Sequence, residues 1–444
     1  MEKIINVQQL SITGMFVVCL LILAQVFGVP VAGLAIGGLL CAQYVAKRDV
    51  DGFIFLWLVI FPAGFFSYYV DVISLKEVFA IGVILLYLNN KSLFSPRNGG
   101  QRKMVHYVGY LCVFLFLFTV GHSIRCVLLH FRGYETRSIG NAVSIFFKGF
   151  VYYYSIYLVC IRMLVGSPIE KRAFFYAILG SCLIQSIGLF FPSFFFNINT
   201  ACYELEDMST ITANSRMTPL WSLTGGANTF AAYMAMVFAF IVMSEVKIKF
   251  SLFFAFLLLG STLATLSRSG FGAIGIVLFF YVLSSFSGRS SAKNIFYILI
   301  AFGLLYFAFT ERIDMLFERF SEISNEINRD SDMIGRAAIL YEYIDYMNKN
   351  TMYYLTGAMK ELGFTFVPHN MFFTSIYYNG VFPLVLLLIS IIGFFRILKY
   401  EHKYLILAIL SSFVFTEYFH SEIGEAFALL FLVCIYKDYH TQNI

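Results

Sequence analysis

Charge is what this chain has least of. Asp, Glu, Lys and Arg together make up 13% of its 444 residues. Only residues 311–370 form a sizeable hydrophilic stretch, so no separate soluble domain, linker or low-complexity tract is expected. Basic runs with interleaved aromatics are missing outside the apolar segments, and the net charge of +5 therefore carries no nucleic-acid signal. There is no Gly-rich phosphate loop, no Cys/His cluster at metal-ligand spacing and no Ser-His-Asp arrangement. All the cysteines except Cys202 fall in apolar segments, which argues against a disulfide framework. The N-terminus lacks a small-residue cleavage site, and its apolar run is expected to be a first span, not a removed signal peptide.

What is present is apolar surface. Hydrophobic residues reach 59%, aromatics 19%, and the mean hydropathy is +0.78. This composition predicts an all-α, polytopic integral membrane protein. At roughly 20 residues per perpendicular helix, the length allows about fourteen transmembrane helices with short connections. The expected spans are 11–28, 30–46, 53–70, 74–90, 105–128, 142–165, 173–195, 221–243, 250–266, 269–287, 295–310, 371–396, 404–418 and 425–436. They form one membrane domain over residues 1–444, with 311–370 as one long extracytoplasmic, periplasmic loop. No repeat relates the two halves, which weighs against transporter folds built from paired halves.

Basic residues set the expected orientation. With the N-terminus inside, the short inside loops collect most of them, including Lys47, Arg48, Lys91, Arg97, Arg102, Lys103, Arg162, Lys171, Arg172 and Arg396. Both termini are then cytoplasmic. Within the long loop, Ile313, Leu316, Phe317, Phe320, Ile323 and Ile327 recur at helical spacing, with acids and Arg opposite. They predict an amphipathic helix on the membrane or capping the bundle. A second helix is expected over about 333–348.

An arginine at membrane depth is costly and calls for a use. Arg268, in Ser267-Arg268-Ser269-Gly270, falls where two apolar runs meet at the outer face. It is either a snorkelling interfacial Arg or a clamp for phosphate or pyrophosphate, because a guanidinium offers forked donors and stays charged. Arg216, ahead of the span that Asn228 opens, is a further candidate anion ligand, with Asn228 facing the same cavity. Arg336 is a third cation, or else part of a solvated helix face. His369, just before a span in Pro368-His369-Asn370, is the candidate acid/base: an imidazole can accept a proton from a sugar hydroxyl near neutral pH. Arg125, at the outer end of one span, and Lys148, inside the next, are candidate members of the same cationic cavity. Asp330-Ser331-Asp332 has the spacing of a metal-binding acid pair, but the loop is rich in acids and surface charge is the favoured reading. Neither metal nor cofactor is expected.

Together these residues resemble the O-antigen polymerase and O-antigen ligase superfamily of bacterial surface-polysaccharide assembly, most clearly over residues 215–395. Thr265-Leu266-Ser267-Arg268-Ser269-Gly270 is similar to that family's Ser-Arg-Ser/Gly motif at a span turn. Arg216 followed by Gly226-Ala227-Asn228 resembles its Arg and Asn-opened helix. Ile334-Gly335-Arg336 and Leu355-Thr356-Gly357 resemble its loop Arg and downstream Gly. His369-Asn370, before a span carrying Gly380 and Pro383, resembles its His-Asn signature. The first 200 residues show nothing diagnostic.

The resemblance implies a lipid-linked-sugar glycosyltransferase fold in the bacterial inner (plasma) membrane. It implies metal-independent transfer from an undecaprenyl-pyrophosphate-linked glycan, with Arg216, Arg268 and Arg336 on the pyrophosphate and His369 activating the acceptor hydroxyl. Implied partners are undecaprenyl-pyrophosphate-linked oligosaccharides, membrane lipids, a chain-length regulator and other polysaccharide-assembly proteins. A repeat-unit polymerase for lipopolysaccharide biosynthesis is favoured over a ligase acting on lipid A-core. A flippase or transporter of lipid-linked oligosaccharide is the reading from another class. Tyr341, Tyr343, Tyr353 and Tyr354 are expected to offer stacking surfaces for sugar rings.

Overall fold

The computed structural model describes residues 20, 30–60, 69–70, 73–131, 138–190, 227–243, 250–285, 336–357 and 371–397, with single positions between 303 and 314. Among them the chain is helical. The helices are α1 (Pro30–Lys47), α2 (Val50–Ile60), α3 (Leu75–Asn89), α4 (Gly99–Phe131), α5 (Ile139–Val165), α6 (Pro168–Phe190), α7 (Ala227–Met243), α8 (Ser251–Ala264), α9 (Arg268–Ser285), α10 (Arg336–Asn348), α11 (Met352–Thr356), α12 (Met371–Asn379) and α13 (Phe382–Ile397). The expected spans at 11–28, 295–310, 404–418 and 425–436, and the amphipathic helix over Ile313–Ile327, lie outside the described residues.

Among the described residues two helices are long and apolar enough to cross a membrane, α4 with 33 residues and α5 with 27. At 1.5 Å per residue they extend about 50 and 40 Å. α4 starts ahead of the expected 105, because Arg102 and Lys103 continue the helix beyond the apolar stretch. Only 47% and 50% of their apolar windows are buried. Their open faces carry Val113, Ile124, Val143, Phe147 and Phe150. α13 likewise shows Val385, Leu388 and Ile392 outward at helical spacing.

Two expected spans are interrupted. In the apolar run 53–70 the described residues are helical to Ile60, whereas Tyr69–Val70 pairs antiparallel with Ile73–Ser74. The run 371–396 divides at Gly380, whose φ of +75° belongs to the left-handed region that favours glycine. Its N–H closes α12 on the Ile376 carbonyl at 2.8 Å, and the next N–H, from Val381, crosses to the Tyr354 carbonyl at 2.8 Å.

The helices alternate in direction, so the bundle has two distinct ends. The α1–α2, α3–α4 and α5–α6 junctions meet at one of them. α13 returns there beside α4, where Gly393 admits the Tyr107 ring and Ser390 Oγ donates to the Tyr107 carbonyl at 3.0 Å. This is the end where the basic residues gather. Two of those expected as loop cations are instead buried, Arg162 at 4% and Lys171 at 7% exposure. Arg162 Nη2 lies 2.8 Å from both carboxylate oxygens of Asp51 and 3.0 Å from Glu170 Oε1. One guanidinium thus ties α2, α5 and α6 together. Both carboxylates stand at helix ends ahead of the apolar runs. Burial pushes the Asp51 carboxyl up to about 6 against the pull of Arg162. Burial also acts upward on Glu170, but the Ser167 N–H and Arg162 outweigh it and hold the carboxyl below its ordinary value. The opposite directions mean that the pocket favours the ionised form of Glu170 more than that of Asp51.

Candidate functional site

The expected site residues that are described lie towards the far end of the bundle. α4 and α6 run towards it, and α7 runs back from it beside α6: Phe175 and Phe240 have ring centroids 4.4 Å apart, and Cys182 lies 3.7 Å from the Tyr233 hydroxyl. Ala227 and Asn228, which open α7, are therefore at the far end. α8 climbs beside α6, where Ser186 Oγ meets Ser261 Oγ at 2.8 Å. It stops before Leu266, whose φ of +50° reverses the chain. Ser267 is buried, and its Oγ accepts the Gly270 N–H at 3.3 Å as the cap of α9. A Cβ on Gly270 would come 2.5 Å from that of Ala231, so α7 and α9 touch within one turn of their openings. Asn228 and Arg268 thus open two adjacent helices at the same end.

A second group is built on α4. α12, which begins two residues after His369, packs on the C-terminal half of α4, and a Cβ on Gly121 would come 2.5 Å from Asn379 Oδ1. Arg125, one turn beyond Gly121 on α4, is close enough to Tyr377 for its charge to act on the phenol. Ser375 and Asn379 lie one turn apart on α12, and Ser375 Oγ and Asn379 Nδ2 are buried with no hydrogen-bond partner among the described residues.

α10, opened by Arg336, is fastened to α12 by Tyr343. The Tyr343 hydroxyl donates to the Phe373 carbonyl at 2.9 Å, and its ring stands edge-on to Tyr377 at 5.6 Å. Burial, then Tyr377 and Tyr354, raise the Tyr343 phenol, so it stays a proton donor. At 1% exposure it has no face for a sugar, which corrects the expected stacking role. Tyr353 stacks on Tyr346 at 5.7 Å and the Tyr354 hydroxyl donates to Asn348 at 2.8 Å. Tyr341, 75% exposed, is the most open of the four expected platforms, with Tyr353 and Tyr354 half-buried.

Lys148 sits on α5 one turn before Tyr152. Lys76, in the first turn of α3, places its Nζ 4.1 Å from the Tyr152 ring centroid and within electrostatic reach of Lys148. Lys76 was not among the expected site residues; as one Lys near the start of an apolar run, it carried no signal. The structure brings together the helix openings of Asn228 and Arg268, and separately Arg125 with the helices that Arg336 and His369-Asn370 introduce. Arg216, His369 and Asn370 themselves, with the pair Asp330 and Asp332, lie outside the described residues. No protein-family model matches the chain, and no curated protein matches it.

Proposed function

We propose that the chain is a polytopic membrane glycosyltransferase, a repeat-unit polymerase that elongates a surface polysaccharide on an undecaprenyl-pyrophosphate carrier. The observation that supports this reading most directly is the far end of the bundle. There the openings of α7 and α9 adjoin at Asn228 and Arg268, while Arg125 and the helix opened by Arg336 both pack on α12, just after His369-Asn370. All of these positions except Arg125 carry the family resemblance. About fourteen spans, an inner-membrane location and cytoplasmic termini belong to the same proposal.

The chemistry suits such a set. The acceptor hydroxyl oxygen forms a bond to the anomeric carbon as the bond from that carbon to the pyrophosphate oxygen breaks. The hydroxyl proton passes to His369, and the electron pair leaves with the pyrophosphate. Fixed guanidiniums of Arg216, Arg268 and Arg336 stabilise the growing negative charge, most strongly where water is excluded. Lys148, Arg125, Asn228 and Asn370 bind and orient the donor. The isoprenoid tail remains in the bilayer while its head reaches the rim.

The test is purified protein in vesicles with undecaprenyl-pyrophosphate-linked repeat units, comparing wild type with His369→Ala and Arg268→Ala. Glycan ladders made by the wild type and lost in both folded variants are expected. Transfer only after lipid A-core is added would make the protein a ligase. Inertness with both acceptors would reject transfer and favour a lipid-linked-oligosaccharide transporter.

A further inference from the structure

Side by side, α4 and α5 line a groove of about 340 Å³ that runs from near the basic end towards the middle of the bundle. That is within the roughly 300–1,000 Å³ of small-molecule sites. Gly109 opens it: a Cβ there would stand 3.4 Å from the Tyr157 ring, in ordinary contact, and the space beyond is the groove. Its far limit is Phe116 against Phe150, with ring centroids 5.9 Å apart, and Tyr153 and Tyr154 also line it. Tyr110, Val113 and Phe150 are 40–49% exposed, so the groove opens sideways along the two helices long enough to cross a membrane.

The groove continues into charge. Arg102, His106, Gly109, Val113 and Phe116 fall at successive turns of one face of α4, with Lys103 and Tyr110 beside them. Arg102, Lys103 and His106 are all exposed. Among the described residues no carboxylate pairs with Arg102 or Lys103. An apolar slot leading to two cations and an imidazole N–H matches an amphiphile with an anionic head and a hydrocarbon tail.

We propose that this groove holds an acyl chain of an anionic membrane phospholipid, with its headgroup phosphate against Arg102, Lys103 and His106. Basic pockets between helices at the membrane surface recognise such headgroups through charge and N–H donation. The proposal rests on the membrane reading and not on glycosyl transfer. The headgroup cations are on the end opposite Asn228 and Arg268, so it is a structural or regulatory lipid site.

The test reconstitutes the full chain in vesicles of equimolar phosphatidylglycerol and phosphatidylcholine, releases it in mild detergent and weighs bound lipid by native mass spectrometry. Wild type is expected to retain phosphatidylglycerol preferentially. Arg102→Ala/Lys103→Ala, at exposed positions, should lower that preference roughly tenfold or more, as the loss of two surface cations predicts. Gly109→Leu should reduce retention of both lipids by filling the groove. Equal retention of the two lipids by wild type, or a charge variant with unaltered preference, would overturn the proposal. So would a dimer that Gly109→Leu dissociates, since the groove would then belong to a second copy of the chain. If Gly109→Leu fails to fold, the charge variant still decides.

Discussion

At the scale of single residues, Arg162 shows how a cation is kept inside an apolar bundle. Removing the partner of a buried charge typically costs about 3–5 kcal/mol, because the remaining charge is left in low dielectric. Here the two partners are unequal. The site disfavours the ionised form of Asp51 and favours that of Glu170. Neutral Asn at Asp51 should therefore be tolerated, costing under about 1 kcal/mol, whereas Glu170→Gln should cost about 1–3 kcal/mol. Thermal unfolding in detergent should rank Tm as wild type, then Asp51→Asn, then Glu170→Gln, and the reverse order would refute the inequality of the two carboxylates. Gly380 makes a second prediction. Its backbone is left-handed, and a Cβ would run into the Leu355 carbonyl. Gly380→Ala should lower stability by about 1–3 kcal/mol from strain alone; an unchanged Tm would mean that α11 and α12 separate without cost.

At the scale of elements, what the sequence made legible was apolar length. Among the described residues eight of the expected spans, 30–46, 74–90, 105–128, 142–165, 173–195, 221–243, 250–266 and 269–287, correspond to helices, because sustained apolar runs without Pro inside the helix have few other ways to satisfy their backbone in lipid or core. Ends and interruptions were less legible. Hydropathy cannot distinguish helix from strand in the run ending at Tyr69–Val70, and it does not register a positive φ at Gly380. Nor does it show burial: Tyr343 read as a surface ring, but the approach of α12 encloses it. Arg162 read as a loop charge because its carboxylate partners come from two other helices. Tyr343 gives the element-scale prediction. Tyr343→Phe keeps the ring and removes the hydroxyl that bridges α10 to α12, for a loss of about 0.5–1.5 kcal/mol. If α10 orients Arg336 towards the segment before α12, protease cleavage within 349–370 should also quicken in Tyr343→Phe. Cleavage at the wild-type rate would show that the hydroxyl does not hold the two helices together.

At the scale of the molecule, the two ends are built for different work. The basic end is closed by the Arg162 ion pairs and by α13 against α4; the far end has cations on three helices and four helix openings at candidate residues or immediately after them. Anion binding favours the second arrangement, since N–H groups at helix starts and guanidiniums add their fields there. The order of motifs along the chain pointed to this set, but the adjacency of α7 and α9 openings comes from small residues, Gly270 against Ala231, that no motif announces. If the ends are functionally separate, their variants should dissociate. Asp51→Asn and Glu170→Gln should lower Tm while leaving turnover of lipid-linked repeat units within about twofold of wild type below their unfolding temperatures. Arg268→Ala should do the opposite, keeping Tm within a degree or two and cutting turnover by roughly 10²–10³, the usual cost of losing one fixed donor to a developing anion. His369→Ala should lose about 10²–10⁴, as expected of an absent general base, and its residual activity should lack the pH dependence of an imidazole. Loss of turnover in proportion to Tm for all four variants would mean that the far end contributes stability alone, and transfer would have to be sought elsewhere in the chain.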